Sequence, residues 1–383
     1  MLQVVDVVEI NDPDELESYR LAWNALLPET RRASFFHTFD WFQLYWRHFG
    51  QGQKMRVLVV RAGGTPIGIV PLCVCRERYH VGSIRVLNYP LSDWGMWHGP
   101  IGPNQSASLF LALRHLRSTE RDWDMIDLRW IADESNRQNT TGRALRFAGW
   151  RPQRSTYQQS SVIRLDGTDW ESYRANLPKK WRHEIGRQDR ALCRSIHVEF
   201  ERYRPDGAAS GDDDPRWDLY EQCLHVSRQS WQGSSTSGNT LCHEDVSEFL
   251  RECHASAAKL GMLDLAVLRV DGRAAAFQYN YLFGGQLFGL RMGFDPQFSR
   301  QGVGKVIMSR MIQDSFNRHD KTIDMGIGDF QFKRRFRTDV ETNNRYTCYS
   351  WLAWRSQGVR LTRWLKESGR GRAKVIVAKT PRA

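Results

Sequence analysis

Residues 289–329 read GLRMGFDPQFSRQGVGKVIMSRMIQDSFNRHDKTIDMGIGD. The order is strand, loop, helix, strand. The strand Leu-Arg-Met-Gly-Phe ends at Asp295-Pro296 and leads into the loop Ser299-Arg300-Gln301-Gly302-Val303-Gly304-Lys305. Two glycines two apart let the backbone turn sharply and approach a ligand closely. A helix over 301–318 then presents free N–H groups at its positive end. That geometry suits a phosphate or pyrophosphate held through the backbone, with Arg300 and Lys305 to add charge; the alternative is a plain turn before a helix. An apolar strand over 322–327 closes the unit.

Working outward, helices are expected over 169–176, 178–194, 216–230 and 244–260. Strands are expected over 196–204, 262–270, 273–283, 286–294 and 345–354. Asp271-Gly272 and Gly284-Gly285 are two-residue hairpin signals. The first half gives a similar order. A strand over 3–10 precedes a helix over 13–27 and a short aromatic helix over 40–49. Strands over 54–62 and 66–76 are joined at Ala62-Gly63-Gly64-Thr65, and another covers 84–89. Helices over 106–116 and 135–147 bracket a strand at 123–130, and a strand at 160–165 ends the half. Helices mixed with antiparallel and parallel strands imply an α/β (α+β) layered architecture. Two halves of similar length and order, with no sequence-level repeat, predict two copies of one fold. The divisions expected are 1–166, 167–356 and a basic tail, 357–383.

Length agrees, because 383 residues suit two domains of ordinary size. A chain 41% hydrophobic and 26% charged is neither disordered nor fibrous. No apolar run approaches the ~20 residues that span a bilayer. The first residues lack the basic region of a signal peptide, so a cytoplasmic protein is expected. The seven cysteines are scattered, with no CxxC pair, which argues against a disulfide framework or a zinc site. The net charge is +12, yet residues 355–383 alone hold nine Lys or Arg and one acid. The rest of the chain is only mildly basic, which weakens any reading of the whole surface as nucleic-acid binding.

The unit at 289–329 resembles motif A of the GNAT acyltransferases. In that family the Gly-x-Gly loop cradles the CoA pyrophosphate and the preceding strand pairs with the pantetheine. Gly302 and Gly304 match the family pattern. Ser299 stands where Gln or Arg is usual, and Arg300 comes one place late. Further stretches fit one branch. These are Trp170–Leu192 with its Leu-Pro-Lys-Lys-Trp-Arg, Met262–Tyr279, and Asp324–Lys333 reading Asp-Met-Gly-Ile-Gly-Asp-Phe-Gln-Phe-Lys. Together they look like acetyltransferases of the CelD/BcsL type, associated with cellulose biosynthesis. That branch is similar in turn to the Fem-type peptidyltransferases, which use two GNAT-like domains and aminoacyl-tRNA. The resemblance implies tandem GNAT-like domains, each a mixed, mostly antiparallel sheet flanked by helices. It implies an acyl-CoA co-substrate, most simply acetyl-CoA, held in the C-terminal copy. Leu290, Met292, Arg300, Gln301, Gly302, Val303, Gly304 and Lys305 are its expected contacts.

Direct transfer in a ternary complex needs no protein nucleophile and no metal. It needs a proton acceptor and oxyanion stabilisation. Asp329 and Lys333, four apart, would share one face of a helical turn. Asp329 could act as base or orient an acceptor amine, and Lys333 could stabilise the oxyanion or thiolate. The alternative is a surface ion pair. Asp324 starts the strand and reads as a residue that caps or orients. Tyr279 shares a strand face with Phe277 and Tyr281, and Gln278 takes the other, so one face could line an acceptor cleft. Arg291 sits in a central-looking strand and needs a partner, such as a substrate carboxylate or Asp329. His183, Arg187, Arg190 and Arg194 form a basic helical stripe opposite Trp181, Ile185 and Leu192. Asp93 and Trp97, on a Pro/Gly-rich loop, suit a sugar or a cationic amine, against simple loop packing. Trp231 with 233–238 could form a lid or only a linker. The acceptor expected is a small molecule or glycan precursor. The alternatives are a Fem-like transferase using tRNA and a non-catalytic scaffold holding a partner by its basic tail.

Overall fold

The computed structural model describes residues 4–90, 94–132, 139–195, 197–237 and 239–377. Twelve strands form one sheet: β1 Val5–Ile10, β2 Lys54–Ala62, β3 Thr65–Tyr79, β4 Gly82–Asn88, β5 Met125–Ala132, β6 Gln153–Arg164, β7 Val198–Tyr203, β8 Leu263–Val270, β9 Arg273–Phe283, β10 Gln286–Phe294, β11 Thr322–Ile327 and β12 Asp339–Tyr349. Their order is β1-β2-β3-β4-β5-β12-β6-β11-β10-β9-β8-β7. Strands β1 to β5 come from the first half of the chain, and β7 to β11 run back from the far edge in the second.

The middle of the sheet changes the domain picture. Strand β6 belongs by sequence to the first half but pairs with β11. Strand β12 belongs to the second half but pairs with β5. The two also pair with each other. Each half thus lends the other its closing strand. A boundary near residue 166 divides the chain but not the sheet. Sequence shows which face of a strand is buried, not which strand lies beside it.

Each half contains one parallel crossover within an otherwise antiparallel ladder. Strand β4 pairs with β5 only at Val86–Met125 and Leu87–Ile126. Strand β10 pairs with β11 only from Gln286–Thr322 to Phe288–Asp324. Beyond these short contacts the neighbours separate.

Among the described residues twelve α-helices cover the sheet: α1 Pro13–Glu17, α2 Arg20–Leu26, α3 Phe39–Phe49, α4 Gln105–Ser118, α5 Thr140–Phe147, α6 Trp170–Asn176, α7 Lys179–Ser195, α8 Trp217–Gln229, α9 Ser247–Lys259, α10 Val303–Asn317, α11 Gln331–Phe336 and α12 Trp354–Val377. Caps fix several starts. The Thr38 side chain accepts from Trp41 N at α3, and Asp169 accepts from Ser172 N at α6. The helix expected over 13–27 is broken, because Ser18 N and its hydroxyl both turn back to the Glu15 carbonyl. Helices α4 and α5 pack on the first half through Leu109, Leu113 and Leu145. Helices α7 and α10 pack on the second through Leu192, Val303 and Ile307. The largest apolar cluster joins the halves: Phe35, Phe36 and Trp41 pack with Tyr279, Tyr281 and Phe288. Phe35 and Tyr281 have ring centroids 4.3 Å apart.

Residues 357–383 were expected as a basic tail. The chain instead continues as α12 to Val377. Ser356 and Val359 are buried, and Arg363 donates to Thr347 Oγ1 at 3.0 Å and Tyr349 Oη at 3.1 Å. Basic composition hid a helix whose inner face is spaced three and four residues apart.

Candidate active site

The second crossover opens a gap between β10 and β11. Gly289 and Gly326 stand where the strands begin to part. A Cβ on Gly289 would meet the Asp324 carbonyl at 3.0 Å, and one on Gly326 (φ +75°) would meet the Gly289 carbonyl at 3.1 Å. Both positions need glycine for the strands to approach so closely before separating. The register breaks there on both sides, between Gly289 and Arg291 and between Asp324 and Ile327.

Lys333 lies in this gap. It is buried on α11, and its Nζ donates to the carbonyls of Gly326 at 3.1 Å and Ile327 at 2.6 Å. Burial lowers its pKa to about 8, while the charge of Asp324 pulls it back up in part. Asp324 is buried too. Its oxygens accept from Trp97 Nε1 and from Gly326 N, each at 2.8 Å. Burial raises its carboxyl, partly offset by those two hydrogen bonds. Asp324 therefore does more than cap a strand. It ties the loop of the first half to the gap of the second and sets the field around Lys333. An acid within an apolar strand is the only sequence signal for it.

Asp329 does not share a helical face with Lys333. It precedes α11, is exposed, and is clasped by Arg334 at 2.8 and 2.6 Å and by Arg337 at 2.9 Å. The Arg334 hydrogen bond, with help from Arg337, holds its carboxyl below the usual range. That makes it a poor base.

The loop adopts the conformation its glycines allow. A short 3-10 turn, Pro296–Gln301, ends at Gly302 with φ +70°, and α10 starts at the next residue. The amides of Val303 and Gly304 have no partners within the helix, by helix geometry, while Lys305 N already donates to the Gly302 carbonyl at 2.9 Å. Arg300 is exposed beside them. Helix α7 lies over this loop. A Cβ on Gly302 would fall 2.2 Å from Gln188 Oε1. The side-chain oxygens of Gln188 and Gln301 are buried without hydrogen-bond partners. Lys305, 5.0 Å over the Trp181 ring, is ion-paired with Glu184. The loop fits a pyrophosphate through its backbone and Arg300, provided the Gln188 amide turns aside. His183, Arg187, Arg190 and Arg194 lie exposed on the outer face of α7, with Trp181, Ile185 and Leu192 buried beneath.

Other expected residues lie elsewhere. Tyr279 is in the core, its hydroxyl 3.0 Å from His254 Nδ1. Gln278 is buried under α10, 4.0 Å from the sulfurs of Met292 and Met308. Neither lines a cleft, because helices cover both faces of β9. Arg291 does not meet Asp329. It lies 4.1 Å over the Trp94 ring and donates to the carbonyls of Asn239 and, at 2.6 Å, Leu290. The Met292 carbonyl accepts from Gln232 Nε2 at 2.9 Å, which pins the Trp231–Ser234 turn against β10. Trp231 itself is exposed. Trp97 is buried between the halves with Arg32 4.6 Å over its ring. Asp93 lies outside the described residues.

Residues 179–334 match the family profile described as the acetyltransferase (GNAT) domain. That span contains the gap, the Gly302 loop and Lys333. The match to a GNAT domain thus lies within the second half of the chain. Solved structures extend the likeness to most of the molecule. FemX matches with a TM-score of 0.57 at 9% identity, over 90% of this chain and 97% of that one. L-PGS from Bacillus licheniformis matches at 0.50 and 12% identity, over 94% of this chain and 99% of that one. The C-terminal domain of a protein described as a lysylphosphatidylglycerol synthetase, from Agrobacterium fabrum, matches at 0.50 and 12%, over 75% of this chain and 82% of that domain. At these identities the likeness is one of fold. No curated protein sequence matches the chain.

Proposed function

We propose that the protein is an acyl-CoA-dependent N-acyltransferase, with acetyl-CoA the simplest donor. It transfers the acyl group directly to an amine, or failing that a hydroxyl, of a sugar, a polysaccharide precursor or a secondary metabolite. One observation carries the reading. A single strand gap has a left-handed glycine at a helix start on one side and a buried ammonium on the other.

In this reading the α10 amides and Arg300 hold the pyrophosphate, and Leu290 to Met292 run beside the pantetheine. The acceptor nitrogen attacks the thioester carbonyl, so a C–N bond forms and the C–S bond breaks. Lys333 has three N–H donors, two of them given to Gly326 and Ile327. The third serves the oxyanion and the departing thiolate. Asp329 orients the neutral acceptor amine, and solvent takes the proton that the nitrogen loses after attack. Lys333 is mostly charged at pH 7 and neutral well above pH 8, so turnover should fall as pH rises through about 8.

Calorimetry with acetyl-CoA and desulfo-CoA tests the donor, with Arg300→Glu as a surface control that spares the fold. Micromolar binding weakened by Arg300→Glu supports the reading. Failure of every short acyl-CoA to bind would discard it.

A second reading, an aminoacyl-tRNA-dependent transferase, is favoured by the exposed basic stripe on α7 and by Gln188 lying over the loop. Salt-sensitive binding of charged tRNA, lost when Arg187 and Arg194 become Glu, would select it.

A further inference from the structure

The chain segment at residues 351–365 shows an apolar face to the outside. Leu352 is 95% exposed, Trp354 70% and Leu361 57%, and Trp351, Trp364 and Leu365 are exposed too. On α12, Trp354, Leu361 and Leu365 are seven and eleven residues apart and so share one face, with Trp364 at its border. The opposite face holds Ser356, Val359 and Arg363. Val359 packs with Ile84, Val86 and Met125 of the sheet, so the helix lies flat with its apolar side outward.

Cations flank that side. The Arg355 guanidinium lies 5.1 Å over the Trp354 ring and that of Arg360 lies 5.7 Å over the Trp351 ring. Residues 355–383 carry nine Lys or Arg and one acid. Beside the helix runs a groove of about 680 Å³ lined by Arg78 and by Arg129, Arg345 and Arg363, which already share the buried Asp127 carboxylate, with Glu77 as its acidic member. Trp and Leu on one helical face with arginines at its borders match the headgroup region of a bilayer. A nucleic acid would engage the cations but leave the leucines no role. No described helix is long and apolar enough to cross a membrane.

We propose that α12 and the turn before it dock the protein on the surface of an anionic phospholipid bilayer. The tryptophans and leucines enter the headgroup boundary, and the cations meet the lipid phosphates.

Co-sedimentation compares vesicles of phosphatidylcholine alone with vesicles that also contain phosphatidylglycerol. Binding is expected to the mixed vesicles, weakening as salt rises, with a blue shift in tryptophan emission. The triple variant Leu361→Gln, Trp364→Gln, Leu365→Gln changes outward side chains only. It should keep its circular dichroism and melting temperature but lose affinity by about tenfold or more. Equal binding by variant and wild type would overturn the proposal, as would no binding at low salt. Self-association without lipid, abolished in the variant, would assign the face to a second copy instead. Binding of tRNA, lost in the variant while vesicles are ignored, would assign it to nucleic acid.

Discussion

Both halves place a buried aspartate where their parallel strands part, and the two aspartates behave in opposite ways. Asp127 follows the last residue of β5 paired with β4. Burial alone would raise its carboxyl, but Arg129, Arg345 and Arg363 outweigh that and hold it low. Arg129 donates at 2.8 Å and Thr347 at 2.7 Å. Asp324 closes the parallel pairing of β11. Its charged neighbours are Lys333, Arg32 and the like-charged Glu341, and burial wins. The loops after the two first strands differ in the same sense. In the first half, Ile101 is bridged to Ile69 by two backbone hydrogen bonds, and a Cβ on Gly102 would meet the Ile67 carbonyl at 2.9 Å. That loop is sealed onto β3, whereas the atoms nearest Gly302 belong to the Gln188 side chain of α7. The first half thus keeps its buried aspartate charge-balanced, and the second leaves its own with the carboxyl raised.

The largest expected effect tests the charge-balanced half. Asp127→Asn strips three arginines of their shared carboxylate and should cost about 3–5 kcal/mol of stability in a denaturant titration. The folded pKa of Asp127 is below its unfolded value, so its contribution is present above about pH 4 and lost as pH falls through the folded pKa. The gap between wild type and variant should narrow in acid. Asp324→Asn should change stability at pH 7 far less, and an equal loss at both positions would end the contrast.

Lys333→Ala comes next. A drop in kcat of about 10²–10³-fold is expected if its ammonium meets the oxyanion, measured on protein shown to be folded. Near-normal turnover would remove it from the site. Asp324→Asn should then act on charge at a distance. Without the carboxylate, the Lys333 pKa falls further, and the alkaline limb of the rate profile moves below about pH 8. An unmoved limb would reduce Asp324 to a strut for Trp97. Gln188→Glu sets a carboxylate over Gly302 and should weaken acyl-CoA binding by about tenfold, whereas Gln188→Ala should not. Asp329→Asn is expected to raise the acceptor KM with little change in kcat or stability, as its pairs are exposed.

Much of the fold is legible in the sequence, because alternation and helical spacing mark which face of each element is buried. The Gly302 loop is legible as well, since a left-handed turn before a helix needs glycine. The exchanged strands are not. β6 and β12 carry ordinary alternating patterns, and their partners lie far away in the chain. Asp324 is hidden for a related reason. Its meaning comes from Trp97 and Lys333, which only the folded sheet brings beside it. Tyr279 and Gln278 misled because period two separates faces but does not say that helices cover both.

The exchange of β6 and β12 also bears on the order in which the molecule can be made. The edge of β5 has no lasting neighbour until β12 is synthesised, about 200 residues later, which is roughly 10–40 s at ordinary elongation rates. During that interval the nascent first half shows an unpaired strand edge, the kind of surface on which chains aggregate. Contacts so distant in sequence also slow refolding in dilute solution. Neither half should fold when expressed alone, and the full-length protein should depend on holding factors during translation more than its size would suggest.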